Sequence, residues 1–428
     1  MSEVDSQADR AEQGDPAGRG PAVHRRARRF GPGLLVTAAF IGPGTVTTAS
    51  ISGADFGFAL VWAVAFSVGA AMVLQEMSAR LGIVSRAGLG EALRTTFRQP
   101  SVRYGAIGLV VVAIAFGNSA FQTGNLTGAG LGLEALTGVS PRIWAGLVGV
   151  VAFVLLLTGT YRLIEGAIIA LVVLMSVVFV ATAVIVRPNV GDLFGGLVPS
   201  VPSGSTLMVI ALIGTTVVPY NLFLHASSVQ QKWPEDVSVG EALKESRGDT
   251  YLAIGLGGLI TLAVVTTAAT AMFTKGLGVA SAADMAAQLE PLLGSWAQTF
   301  FALGLFAAGL TSAITAPLAA AFAVSGALGW KPDLKAARFR ATWALVLIAG
   351  TVFAVLGESP VTAILFAQAA NGLLLPIVAV FLLVVMNRRD LLGDHRNSLT
   401  RNVLGGVVML VATGLGVFNI LRATGVVG

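Results

Sequence analysis

Runs of about 20 apolar residues recur from Gly31 to the end of this 428-residue chain. Each run is long enough to cross a hydrocarbon core of about 30 Å as a helix. Only 11% of the residues are charged and 55% are hydrophobic, whereas soluble domains carry roughly 25% charged residues. The chain has no cysteine, which excludes disulfides, thiolate metal ligands and cysteine nucleophiles. These features predict an all-α polytopic membrane protein.

Hydropathy and the positions of loop residues predict about 11 transmembrane helices, at roughly 31–52, 57–83, 104–132, 142–160, 164–187, 205–230, 249–274, 293–327, 338–357, 360–386 and 401–422. All but four of the 27 lysines and arginines then fall on one side of the membrane, and the exceptions are Arg142, Arg187, Lys275 and Arg422. Basic residues collect in cytoplasmic loops. We therefore predict a multi-pass protein of the inner (plasma) membrane, with the N-terminus cytoplasmic and the C-terminus external.

Composition also divides the chain. Residues 1–30 are polar, end in four arginines between positions 25 and 29, and contain no apolar h-region of a signal peptide. We predict that they form a disordered cytoplasmic tail and that 31–428 is a transmembrane transporter domain. Within that domain we expect one repeat at about 31–187, a second at about 205–386 and an extra helix at about 401–422.

Two of the predicted spans contain helix-breaking residues. The first span carries Gly-Pro-Gly at 42–44, and the sixth is interrupted by Gly214 and Pro219. A broken helix at membrane depth is tolerated where it is buried in protein or lines a wet cavity. Five spans separate the breaks, so the two halves enter the membrane from opposite sides, and paired breaks of this kind indicate a transporter's binding site. This pattern predicts a LeuT-type 5+5 inverted repeat with helices 1 and 6 broken, although each break could also be a simple kink.

Several segments carry a resemblance to a known family. They are "GPGLLVTAAFIGPGT", "ADFGFALVW", "QEMSARLGIVS", "ALIGTTVVPYNLFLHASSVQ", "GLFAAGLTSAITAPLAA", "AQAANGLLLPIVAV" and "VVMNRRDLLGDHRN". Together they resemble the Nramp (natural resistance-associated macrophage protein) family of proton-coupled divalent metal transporters, over nearly all of the chain beyond residue 30. The resemblance implies a secondary transporter with metal ion transport by symport.

The chain departs from the family pattern at its centre. The family's first break reads Asp-Pro-Gly-Asn, and residues 42–45 here read Gly-Pro-Gly-Thr. The family's sixth span carries Met-Pro-His, where residues 218–220 read Val-Pro-Tyr, although the second histidine of that signature is kept as His225. The family's third span has an Asp and a Glu associated with proton movement, and the matching positions are Asn118 and Phe121. The chain thus resembles a divergent member without the usual metal-site Asp, Asn and Met.

The polar groups that remain near the breaks are neutral. Neither break carries a carboxylate or a methionine, and a dehydrated cation without a counter-charge is costly in a membrane. Polar residues also recur along span three (118, 122, 125), span eight (311, 315) and span ten (368, 371), where they could line a cavity or join helices. We predict substrate-binding residues Gly42, Thr45, Thr215, Thr216, Val218, Tyr220, Asn221 and Gln368, and a proton or polar pathway through Asn118, Gln122 and His225, and we assign no metal ligands.

These observations predict an integral-membrane secondary transporter of the Nramp superfamily. The resemblance implies a divalent metal cation as cargo, whereas the carboxylate-free centre argues against the family's usual Mn2+ or Fe2+ transport. Two alternatives stay open: a transporter of a small neutral or zwitterionic organic solute on the same scaffold, and a non-transporting membrane receptor or sensor. We expect no enzymatic activity, no cofactor and no nucleic-acid partner. The expected partners are the transported solute, the lipid bilayer and a coupling proton or ion.

Overall fold

The computed structural model describes residues 31–33, 36–37, 41–159, 162–330, 333–357 and 359–423. Within these ranges every long element is a helix and no strand is present. The predicted N-terminal tail at 1–30 lies outside the described residues. The predicted all-α class is therefore the class that the described part of the chain adopts.

Twelve longer helices carry the fold in this part of the chain. They are α1 (Pro43–Phe56), α2 (Val61–Ser85), α3 (Pro100–Thr137), α4 (Pro141–Thr158), α5 (Arg162–Ile185), α6 (Thr206–Thr216), α7 (Pro219–Lys232), α8 (Val239–Ala271), α9 (Ala297–Leu328), α10 (Ala337–Leu356), α11 (Pro360–Met386) and α12 (Leu399–Ala423). Short helices at Leu89–Thr96, Val190–Gly195, Ala282–Ala286, Glu290–Leu293 and Arg389–Leu392 lie in the connections.

The helices occupy the predicted spans, with shifted ends, except at the first one. Among the described residues, ten helical segments are long and apolar enough to cross a membrane, with α6 and α7 counted together. The first predicted span, 31–52, is not among them, because its continuous described helix is only the 14-residue Pro43–Phe56. The third span is longer than predicted and extends from Pro100 to Thr137.

The helices of the two halves pack in pairs. The first span packs on the sixth (α1 on α6), the second on the seventh (α2 on α8), the third on the eighth (α3 on α9) and the fourth on the ninth (α4 on α10). Each of these four helices of the first half therefore contacts its counterpart five spans later, a pattern expected of two inverted halves. The broken first and sixth spans meet at the centre, and the first lies next to α3 and α11.

A group of charges around the buried Glu76 and Arg80 connects several helix ends. The Glu76 cluster consists of Glu76, Arg80, Arg247 and Arg401. Glu76 Oε2 lies 3.1 Å from Arg80 Nη2, and Glu76 Oε1 lies 3.1 Å from Arg247 Nε and 3.7 Å from Arg401 Nη2. Arg80 also donates to Asn397 Oδ1 at 2.7 Å. The end of α2 and the beginnings of α8 and α12 thus lie at the same end of the bundle, and all three are predicted to be cytoplasmic.

The orientation of this end can be tested because the chain has no native cysteine. We expect Gly240→Cys, beside the Glu76 cluster, to be protected from an impermeant maleimide in intact cells and to react after permeabilisation, as the distribution of basic residues predicts. Gly278→Cys, in the opposite loop, is the matched control and should react in intact cells. Both glycines leave open space for a side chain. Labelling of position 240 from outside intact cells would contradict the orientation.

Candidate transport site at the two helix breaks

The first span is interrupted at Ile41 and Gly42, which are not helical. Gly42 is the N-cap of α1, with φ −121° and ψ −175°, and Pro43 occupies the first helical position. Proline has no N–H, and the N–H groups of a first helical turn have no preceding helical carbonyl to bond. The start of α1, at Gly44 among others, therefore presents N–H groups and the positive end of the helix dipole to the centre of the protein.

The second break lies at Val217 and Val218, between α6 and α7. Val217 (φ −100°, ψ 72°) ends α6, and Val218 is the buried N-cap of α7, which begins at Pro219. The prediction that Gly214 is part of the break is wrong, because Gly214 lies inside α6. Its missing side chain has another reason: a Cβ there would lie 2.0 Å from the backbone oxygen of Gln368. The break itself leaves last-turn carbonyls of α6 without a following helical N–H.

The two breaks contact each other directly. The hydroxyls of Thr45, in the first turn of α1, and Thr215, in the last turn of α6, are 2.7 Å apart and fully buried. The structure therefore brings together these two predicted site residues, 170 positions apart in the chain. Thr216, also predicted, instead donates to the carbonyl of Leu212 in its own helix at 3.1 Å. The positive end of α1 thus meets the negative end of α6.

Gln368 of α11 points into the same region. Its amide is fully buried, and neither Nε2 nor Oε1 has a hydrogen-bond partner among the described residues. A Cβ on Gly44 would lie 2.1 Å from Gln368 Nε2, and one on Gly124 would lie 3.2 Å from the same atom. The amide is therefore packed between the start of α1 and the middle of α3. An unpaired buried amide lowers folding stability by about 1–3 kcal/mol. Its presence therefore favours a functional role over a structural one.

The first turn of α7 supplies two more predicted residues. The side chain of Asn221 is fully buried, and both of its polar atoms lack partners within the described ranges, as does the hydroxyl of Tyr220. The Tyr220 ring packs edge-on against Phe121 of α3, with 5.7 Å between ring centroids. Two positions at which the chain departs from the Nramp pattern are thus in contact, and their side chains are aromatic and uncharged.

The polar stripe of α3 reaches the first break through Asn125. Gln122 donates to the carbonyl of Ala313 in α9 at 3.1 Å, and Asn125 donates to Gln122 Oε1 at 3.5 Å. A Cβ on Gly42 would lie 3.0 Å from Ser312 Oγ and 3.8 Å from Asn125 Oδ1. Both of those oxygens are buried and unpartnered in the described structure. Asn118, one turn earlier, donates to the carbonyl of Ile114 in its own helix.

Span eight contributes a residue that the sequence did not single out. Thr311 and Thr315 are half-buried and donate to carbonyls of their own helix, those of Ala307 and Thr311. The buried Ser312 between them faces Gly42 instead. The three residues lie within five positions of one apolar helix, and the sequence alone does not indicate which of them faces the centre.

His225 lies two turns into α7 and is fully buried. Its Nδ1 is 3.0 Å from Gln75 Oε1, an arrangement in which the imidazole donates to the amide, and its Nε2 has no partner among the described residues. Gln75 was not predicted, although it begins the segment "QEMSARLGIVS". The pair joins α7 to α2 between the centre and the Glu76 cluster.

The chemistry of the centre is neutral hydrogen bonding. In the described part of the chain, no group of three or more His, Asp, Glu or Cys residues could hold a metal ion. The groups that converge are hydroxyls, amides and helix-terminal N–H and C=O groups. Such a set can bind a polar solute or a hydrated cation, but it offers no anionic ligand to a dehydrated one.

Comparison with known proteins identifies the scaffold. A family model described as natural resistance-associated macrophage protein-like matches residues 33–422. The divalent metal cation transporter MntH of Deinococcus radiodurans is 30% identical over 409 residues, which cover 93% of this chain and 91% of the relative. MntH of Yersinia enterocolitica is 27% identical over 405 residues, covering 93% and 96% of the two chains.

Solved structures agree on the fold. The manganese transporter of Eremococcus coleocola, in complex with an aromatic bis-isothiourea substituted compound, superposes with a TM-score of 0.73 at 23% identity and covers 92% of this chain and 86% of its own. Mhp1, a nucleobase-cation-symport-1 family transporter, superposes with a TM-score of 0.51 at 15% identity, covering 92% and 93%. These neighbours confirm the predicted fold class.

The relatives are named as transporters, so the prediction that the protein is not an enzyme is confirmed. The family model spans all but the first 32 and the last six residues, and a relative at 30% identity aligns over nearly the full length of both chains. This chain is a member of the Nramp family of multi-pass membrane transporters.

Proposed function

We propose that this protein is a secondary transporter whose cargo binds between the two helix breaks and moves by alternating access around them. The observation that carries the proposal is the direct contact of Thr45 with Thr215, surrounded by buried polar groups that have no partner among the described residues. Several unpaired groups at one place cost stability without a folding benefit. A cargo that bonds to them in transit accounts for their presence.

The proposed cargo class is a divalent metal cation, as the names of the relatives indicate for those proteins. In this chain the cation would meet only neutral oxygens, from Thr45, Thr215, Tyr220, Asn221 and Gln368. Without a counter-charge, complete dehydration is too costly. We therefore propose that the cation keeps much of its water shell and binds weakly, and that the family's usual tight Mn2+ or Fe2+ site is absent.

The proposed site also changes the coupling. The Phe121–Tyr220 contact occupies positions where the Nramp pattern has an acid and a histidine, whereas a phenyl ring does not titrate and a phenol ordinarily keeps its proton at neutral pH. Asn118 and Gln122 accept and donate hydrogen bonds without changing charge. Among the predicted pathway residues only His225 has a side chain that can take up and release a proton. Any coupling proton would therefore use His225, and symport with another ion needs no such group.

A second candidate cargo is a small neutral or zwitterionic organic solute. It is favoured by the two amides, Gln368 and Asn221, whose donors and acceptors are both unpartnered in the described structure. It is also favoured by the contact of the α1 N-terminus with the α6 C-terminus, because a carboxylate is stabilised at the first and an ammonium at the second. A receptor that no longer transports would bind cargo at the same place without moving it.

The test is ligand binding followed by flux. We expect a thermal-shift screen of purified protein with Mn2+, Mg2+, amines and amino acids to raise the unfolding midpoint for the true cargo class, and proteoliposomes to accumulate that cargo. Thr45→Val and Gln368→Leu should each weaken cargo binding about 5- to 150-fold, the equivalent of about 1–3 kcal/mol for a lost buried hydrogen bond. Gln368→Leu removes an unpaired amide, so its unfolding midpoint without cargo should be unchanged or higher.

The matched control is Thr261→Val in α8. Thr261 is equally buried, but its hydroxyl donates to the carbonyl of Gly257 in its own helix. It should bind cargo and transport it like the unaltered protein. If the control lost as much binding as Thr45→Val and Gln368→Leu, or if both of those bound normally, the cargo site would lie elsewhere. Binding without flux would favour the receptor alternative.

A further inference from the structure

A basic cleft lies at the beginning of α3, away from the helix breaks. It has a volume of about 700 Å³ and is lined by Arg94, Arg98 and Arg103, with apolar walls from residues that include Phe97, Tyr104 and Leu328. No acidic residue lines it. The short helix Leu89–Thr96, the start of α3 and the end of α9 all contribute to its walls. The cleft therefore combines three positive charges with apolar surface.

The three arginines are not neutralised by carboxylates of the described residues, since none of them takes part in an ion pair there. Arg103 stacks on the ring of its neighbour Tyr104, with 5.0 Å from Cζ to the ring centroid. Asp390 is within the electrostatic reach of Arg98, but Asp390 is bonded to Arg388, which holds the pKa of that carboxyl below its usual value. Positive charge in the cleft is thus available to an anion.

The Arg94 guanidinium lies beside the C-terminal end of α9. Gly329 caps that helix with φ +72°, and a Cβ there would lie 1.5 Å from Arg94 Nη1. The guanidinium therefore occupies the space beside a glycine that no other residue could replace without strain. A cation is favoured at a helix C-terminus, so the end of α9 is a favourable place for the charge of Arg94.

One side of the cleft continues into a surface that faces lipid. Tyr104, Val112 and Phe116 are 66%, 65% and 62% exposed, and their spacings of eight and four residues place them on one face of α3. An exposed apolar stripe on a membrane-spanning helix faces the acyl chains. An anion in the cleft that is also attached to hydrocarbon would use both surfaces at once.

We propose that the cleft binds the phosphate headgroup of an anionic phospholipid, with its acyl chains along the Tyr104–Phe116 face of α3. The predicted orientation places the cleft at the cytoplasmic surface, where anionic lipids attract clusters of Lys and Arg. A free phosphate would use the arginines alone and leave the apolar stripe unused. This proposal does not depend on the identity of the cargo.

The test compares lipids and variants in one assay. Native mass spectrometry of the detergent-purified protein, titrated with phosphatidylglycerol or phosphatidylcholine, should show tighter binding of phosphatidylglycerol. Arg98→Gln with Arg103→Gln should weaken phosphatidylglycerol binding roughly 30-fold, since each basic residue near an anionic surface contributes a factor of about five in affinity and two are removed. The Arg94 side chain is left intact because it packs against α9.

The matched control is Lys244→Gln with Lys335→Gln. These lysines are exposed, lie outside the cleft and are also predicted to be cytoplasmic. Their substitution removes two positive charges, as many as in the arginine double variant. The control should bind phosphatidylglycerol normally. Equal losses in both double variants, equal binding of the two lipids by the unaltered protein, or full competition by inorganic phosphate at the same concentration would each overturn the proposal. If the Arg98, Arg103 double variant does not fold, the single variants Arg98→Gln and Arg103→Gln replace it, and each should weaken phosphatidylglycerol binding about 5-fold.

Discussion

Glu76→Ala should destabilise the protein by about 3–5 kcal/mol, because it leaves the buried Arg80 without its counter-charge. The Glu76 side chain is only 6% exposed, accepts hydrogen bonds from Arg80 and Arg247, and pairs with Arg401 at 3.7 Å. Arg80 is 1% exposed and cannot move its guanidinium into water without unpacking the end of α2. The loss should therefore appear as a lower unfolding midpoint and a poorer yield of folded protein in detergent.

Two variants make this expectation specific. Glu76→Gln keeps an oxygen acceptor and the side-chain shape, so it should recover part of the loss in unfolding midpoint. Asp390→Ala removes the carboxylate of the exposed Arg388–Asp390 pair and should change the midpoint little, since exposed ion pairs contribute little to stability. An equal midpoint change in Glu76→Ala and Asp390→Ala would show that the cluster is not a structural anchor.

The second large effect is a gain of metal affinity. We expect the unaltered protein to bind Mn2+ more weakly than about 1 mM, or roughly −4 kcal/mol, because its centre has no carboxylate and no thioether. Gly42→Asp combined with Val218→Met supplies both ligand types at the two breaks. The combination should tighten Mn2+ binding on the order of 100-fold, or about 2.7 kcal/mol. Isothermal titration calorimetry measures both values directly.

The structure shows why the first substitution is feasible. Gly42 has φ −121°, a backbone conformation that any residue can adopt. An Asp side chain there would start 3.0 Å from Ser312 Oγ and 3.8 Å from Asn125 Oδ1. Ser312 must move by a few tenths of an ångström, and its unpaired hydroxyl could then donate to the new carboxylate.

Controls separate charge from shape. Gly42→Asn with Val218→Met has nearly the same volume but no charge, and it should gain much less affinity than the Asp variant. Micromolar Mn2+ binding by the unaltered protein, abolished by Thr45→Val, would contradict the neutral-site proposal. If Gly42→Asp with Val218→Met gained no Mn2+ affinity, the residues around the breaks would no longer support a cation at this place.

The sequence predicts the fold of this protein well. Hydropathy indicates where each span lies, proline indicates where a helix is interrupted, and the distribution of basic residues indicates the orientation. The sequence also accounts for the contact of Glu76 with Arg80, since residues four apart lie on one face of a helix. It does not predict Arg247 or Arg401 at the same carboxylate, because only the packed fold brings together residues 171 positions apart or more.

The site is predicted less completely, and for identifiable reasons. The inverted arrangement of the two halves predicts that the breaks, and with them Thr45 and Thr215, lie close together. Gly214 does not break α6, and its small size instead permits close packing of α11. Ser312 was missed because the rotation of an apolar helix cannot be inferred when polar residues are adjacent on it. The roles of Asn221 and Gln368 as substrate ligands remain predictions, supported by their unpaired amides.

The amide of Gln368 packed against Gly44 has a kinetic consequence. Gln368 and Asn221 are shielded from water and bonded to no described residue, so closing the site over them without a cargo would cost about 1–3 kcal/mol per amide. Closing around a cargo that bonds to them would not. We therefore expect the loaded protein to switch sides faster than the empty one. Exchange of cargo between two compartments that both contain it should then be faster than net efflux into a compartment without it.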